Sequence, residues 1–160
     1  MVLGIMIGIG KKKEKHTPHN LLITLIGGIL VWLGWYGFNV GSAFTFDHIA
    51  MISFVNTVIG ASAGAFGWLI FEYILKKTTS LLGLLSGALS GLVAITPAAG
   101  YVSYMSAMII AIIGGICCYI VINLIKVKLQ YNDALDAFGI HGVGGILGAV
   151  LTGVFQSHQI

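Results

Sequence analysis

Charged residues punctuate this 160-residue chain at wide intervals, and the apolar runs between them have the length of membrane-spanning helices. Residues 21–38 and 49–71 carry no charge. A third uncharged run, 78–125, is too long for one helix. Thr96-Pro97-Ala98-Ala99-Gly100 breaks it, since proline removes an amide donor and glycine relaxes the backbone. A last run opens at Asn132-Asp133 and has no charge beyond Asp136. The pattern predicts an all-α integral membrane protein with five complete spans, near residues 20–40, 49–73, 79–96, 102–125 and 135–155, forming one unit over 1–160. Thr17-Pro18 reads as the cap of the first span. Asp133, with Asp136 three residues on, reads as the acidic first turn of the fifth. Residues 1–9 are also apolar, but as a helix they reach only about 14 Å, half of a ~30 Å hydrocarbon core, and predict an N-terminal half-helix.

Composition turns this pattern into an exclusion. Hydrophobic residues are 58% of the chain and charged residues 8%, too little polar material to clothe a soluble fold, so lipid is the expected solvent. The excess of base over acid reads as topology and not as affinity for nucleic acid. All eight lysines fall at 11–15, 76–77 and 126–128, while the 41–48 and 96–101 connections have none. Alternate loops lie on opposite sides, so the lysine-rich loops are expected on the cytoplasmic face of a plasma or inner membrane. Glu72 is expected to snorkel or to pair with Lys76 or Lys77, and the adjacent Cys117 and Cys118 to act as small packing residues.

The candidate chemistry is sparse. His141 lies in a glycine-rich apolar run with Gly142, Gly144, Gly145 and Gly148, where a titratable ring marks a functional site. His16, His19, His48 and His158 all fall in loops or tails, so no metal ligand set assembles, and no cofactor is expected. Interhelical hydrogen bonding or the lining of a solute path remain for His141. Phe38 and Ser42 end the first span, where an aromatic face and a hydroxyl can attract a small cation. Trp32, Trp35 and Tyr36 read as an interfacial aromatic belt, and Gly60, Gly64 and Gly67 as a close-packing face.

Taken in order, Gly34-Trp35-Tyr36-Gly37-Phe38-Asn39-Val40-Gly41-Ser42, Asn56-Thr57, Ser80-Leu-Leu-Gly83 with Ser86-Gly87-Ala88, Thr96-Pro97-Ala98-Ala99-Gly100-Tyr101 and Asp133-Ala-Leu-Asp136-Ala-Phe138-Gly139-Ile-His141-Gly142 resemble the sixth to tenth helices of the ammonium transporter family (Amt/Mep/Rh). The resemblance implies a transporter and not an enzyme, with ammonium or ammonia as its solute. It implies that Phe38 gates the pore, that Ser42 belongs to the external recruitment site, and that His141 is the second of two facing pore histidines. It also implies a homotrimer with a pore in each subunit. In the family, two inverted repeats flank the pore. This chain matches the second, with residues 1–9 resembling the end of the fifth helix and no counterpart to the first pore histidine. Three readings follow: an inactive piece of a broken or split transporter, one half of a pore completed by another chain, or a non-transporting sensor or regulator-binding protein.

Overall fold

The computed structural model describes residues 19–129, 133 and 135–156. The N-terminal half-helix, the lysines at 11–15 and the Thr17-Pro18 cap lie outside the described residues. Five helices are long and apolar enough to cross a membrane, and no strand occurs among the described residues.

Local capping decides where most of these helices begin. Helix α1 (Leu21–Gly41) starts behind Asn20, whose side-chain oxygen accepts from the amides of Leu22 at 2.9 Å and Ile23 at 3.1 Å. Helix α2 (His48–Lys76) is capped by Asp47, and α3 (Leu81–Ile95) by Ser80. At its end α3 tightens into a 3-10 turn, Thr96–Ala98, at the proline. Ser103 then caps α4 (Tyr104–Ile120), which continues through a π turn, Val121–Ile125, into Lys126–Leu129. The last span opens with a second π turn, Phe138–Val143, and continues as α5 (Gly144–Phe155).

The acidic first turn expected for the last span does not form. Asp136 has a left-handed backbone (φ 54°) ahead of the helix, and its carboxylate pairs with Lys126 at 2.6 Å. Asp133 does cap, but from farther out, accepting from the amides of Phe138 at 3.0 Å and Gly139 at 3.3 Å. The lysine thus competes successfully for the residue that would otherwise serve the helix dipole.

The core is a three-helix hub of α2, α3 and α4 joined through glycine. A Cβ added at Gly64 would sit 2.6 Å from the Gly87 carbonyl oxygen, and one at Gly67 2.6 Å from that of Ile112. Such contact lets backbones meet directly, which suits association in lipid, where apolar burial alone drives little. Asn56 completes the hub, its amide donating to the carbonyls of Ala99 at 2.8 Å and Val102 at 2.9 Å, so the α3–α4 turn is tied to α2. An isolated bridge between Val102 and Gln156 brings the end of α5 to that same side.

At the opposite end, Glu72 is buried and does not snorkel. It accepts from the Ser80 amide at 3.2 Å and hydroxyl at 3.1 Å and pairs with Lys76 at 3.4 Å. Lys76 also reaches Asn123 at 3.4 Å and lies over the Tyr119 ring. Lys76, Lys77, Lys126 and Lys128 therefore share one end of the bundle, and Ser42, Asp47 and Tyr101 the other. Helix α1 packs on the hub along a narrow stripe. Only Gly28 and Asn39 are buried along it, and Leu22, Ile23, Ile26, Leu30 and Leu33 are exposed.

Candidate functional site

One stripe of α1 faces the hub. Val31, Gly34, Trp35 and Phe38 recur at helical spacing, and the cleft behind them has Val93, Thr96 and Pro97 of α3 and its turn as one wall and His141 and Gly145 as the other. Its volume is about 450 Å³. The lining is almost wholly apolar, with the imidazole of His141 as its one titratable group. Gly34 and Gly145 have nothing within 4 Å of where a Cβ would stand, so their missing side chains are part of the open space.

A smaller, more polar pocket of about 110 Å³ lies toward the Tyr101 end, lined by Asn39, Ser42, Ser53, Ala99, Gly100 and Tyr101 among others. Phe38 and Thr96 line both spaces. Ser42 lines the polar pocket and His141 the apolar cleft. The three residues singled out from the sequence are thus brought into one ordered series: hydroxyl, aromatic ring, imidazole.

The geometry around each is specific. The Ser42 hydroxyl donates to the Phe38 carbonyl at 2.5 Å, which commits its proton and leaves its lone pairs as the free valence. Phe38 meets Trp35 edge to face at 6.3 Å between centroids. Trp35 in turn lies nearly parallel to His141, 6.1 Å between centroids and 15° between planes. The Trp35 indole N–H donates to Thr96 Oγ1 at 2.8 Å, and Thr96 donates to the Leu92 carbonyl at 2.7 Å. Trp35 is therefore a wall of the cleft and not a member of an interfacial belt. Its apolar ring and single donor suit the belt equally well by composition, and only the Thr96 partner across 61 residues distinguishes the two.

The backbone that carries His141 is held from the lysine-bearing end. Its π turn packs on the π turn of α4, where a Cβ at Gly139 would stand 2.9 Å from Ile122 Cδ1. Lys126 bonds both the Asp133 carbonyl and the Asp136 carboxylate, while the Asp133 carboxylate holds the first amides of the turn. π turns widen a helix by one residue and often occur where a side chain must be re-aimed. Thr96 and Trp35 had no functional assignment from sequence, whereas Gly145 is one of the four glycines that read as leaving room beside the His141 ring for another helix or a narrow path. The usable signal for Trp35 was the Val31–Gly34–Trp35–Phe38 spacing.

Comparison with known proteins shows the family. A family model described as the ammonium transporter family matches residues 1–160. An ammonium transporter of Bacillus subtilis is 49% identical over 160 residues, covering 100% of this chain and 40% of that protein. Another from Aquifex aeolicus is 42% identical, covering 99% of this chain and 38% of that protein. Among solved structures, Saccharomyces cerevisiae Mep2 superposes with a TM-score of 0.88 at 34% identity, covering 99% of this chain and 37% of that one. The chain thus spans about two-fifths of the length of the relatives it matches. With five apolar helices in the same arrangement and the family's motifs along its full length, this multi-pass membrane chain belongs to the ammonium transporter family.

Proposed function

We propose that residues 1–160 form one side of a transmembrane path for ammonium or ammonia. The observation that carries this is the shared wall: Phe38 and Thr96 separate a polar pocket containing Ser42 from an apolar cleft containing His141. An ammonium ion carries only N–H donors, so acceptor oxygens and an aromatic face at the outer end suit it. Stripping its water in an apolar cleft is costly while the charge remains, whereas neutral ammonia crosses readily. An imidazole nitrogen can accept a hydrogen bond or a proton at the point where charge becomes expensive. Ser42 recruits, Phe38 gates and His141 handles the proton.

The exposed face of α1 and the open side of the cleft require a second wall, from further sequence or another chain. The lysine-bearing end faces the cytoplasm of a plasma or inner membrane, and the completed assembly is a homotrimer as in the family reading. The test is uptake of labelled methylammonium by transporter-deficient cells in which residues 1–160 replace the matching segment of the Bacillus subtilis relative. Uptake is expected. Ser42→Ala should raise KM, and His141→Ala should lower the maximal rate. A chimera that reaches the membrane in normal amount and takes up nothing would defeat the proposal.

A further inference from the structure

Asn39 is 7% exposed, and its side chain is fixed by a chain of donors. Its amide nitrogen donates to Thr57 Oγ1 at 3.1 Å, and the Thr57 hydroxyl spends its own proton on the Ser53 carbonyl at 2.6 Å. A hydroxyl so committed can only accept, so the Asn39 amide must present nitrogen to Thr57 and cannot be flipped. That leaves Oδ1 buried with no hydrogen-bond partner among the described residues. Asn39 lines the polar pocket together with Ser42, three residues along the same helix. A buried carbonyl oxygen without a partner is a standing cost to the folded state, and a bound N–H donor removes it.

We propose that Asn39 Oδ1 is a second acceptor for a small N–H-bearing cation of the ammonium class in the outer pocket. This rests on the reading of that pocket as the cation's entry site. Ser42 Oγ and Asn39 Oδ1 are each left with lone pairs by an internal bond that consumes the neighbouring proton. Both oxygens are thus fixed as acceptors before the cation arrives. Thr57 acts as a positioning residue for the amide.

The purified chain in detergent is titrated with ammonium chloride against sodium chloride at constant ionic strength, read by intrinsic tryptophan fluorescence, because Trp35 abuts the shared Phe38. A saturable, ammonium-specific response is expected. Asn39→Leu and Ser42→Ala should each weaken it by about tenfold, the scale of one lost hydrogen bond to a charged group. Asn39→Asp keeps an acceptor oxygen at the position, with the Thr57 hydroxyl turning from the Ser53 carbonyl to donate to the carboxylate in place of the lost amide bond, and should bind at least as tightly as the parent, with thermal unfolding followed for every variant. If Ser42→Ala weakens binding while a folded Asn39→Leu stays within about twofold of the parent, Asn39 is not a ligand and the pocket reading survives. If Asn39→Asp is as weak as Asn39→Leu, the side chain acts only through packing and the proposal is overturned. That arm decides the matter where Asn39→Leu does not fold. No saturable response in the parent overturns both the proposal and the entry-site reading.

Discussion

Thr96 shows how one hydroxyl can organise the cleft without being recognisable in advance. It accepts from the Trp35 indole, and Trp35 is the platform on which His141 lies. Thr96→Val leaves that buried donor unpaired at a cost of about 1–3 kcal/mol, so thermal stability and uptake should both fall, while Thr96→Ser stays near the parent. In the sequence Thr96 reads as part of a helix break and of a family motif, with no partner of its own, because a threonine before proline is what any turn would use. His141, Phe38 and Ser42 were legible because each is chemically out of place in its run or carries a family motif. Trp35 was misread because its partner lies in a different helix. At the Tyr101 end of the bundle, the Thr45 hydroxyl, at 2.7 Å, and then the Ala50 amide hold the Asp47 carboxyl below the ordinary carboxylate range. A depressed value means this cap stabilises the start of α2 above the ordinary carboxylate range and is lost as pH falls through the lowered value. The protection factor of the Ala50 amide should fall over that acid interval, and in Asp47→Ala it should be low at every pH.

At the scale of helices, glycine does two opposite jobs, and the structure separates them. Gly64 and Gly67 are filled by neighbouring backbone, so Gly64→Leu forces α2 and α3 apart, with overpacking costs of about 1–3 kcal/mol or more and a lower unfolding temperature. Gly145 faces empty space in the cleft, so Gly145→Leu should leave stability within about 0.5 kcal/mol but abolish uptake by filling the path. Gly153→Leu, equally open but outside the cleft, should change neither. The sequence predicted the close-packing face at Gly60, Gly64 and Gly67 from spacing alone, and it divided the chain at Pro97. It could not rank which glycines meet backbone and which border a void, since that depends on the partner helix. The late start of the last span escaped for a similar reason. Asp133 and Asp136 carry the right residue types for a first turn, but Lys126, from the preceding helix, claims Asp136.

At the scale of the molecule, the hub is closed and the His141 cleft is open. Helices α2, α3 and α4 bury their small-residue faces in each other, whereas α1 offers exposed leucine and isoleucine along most of its length and the His141 cleft opens outward. The charge distribution fits a single orientation. Four described lysines share one end, where Glu72 and Asn123 hold Lys76 and Asp136 holds Lys126, so an oppositely oriented copy of the same chain would carry its cations across the membrane against the usual bias. The second wall is therefore expected from a different sequence. The most direct measurement is ammonium-limited growth of transporter-deficient cells carrying residues 1–160 alone, or together with the part of the Bacillus subtilis relative that these residues do not cover. The account predicts no growth from residues 1–160 alone, growth from the pair, and impaired growth of the pair with His141→Ala. Robust growth from residues 1–160 alone that survives His141→Ala, or no growth from a pair that reaches the membrane together, would contradict it.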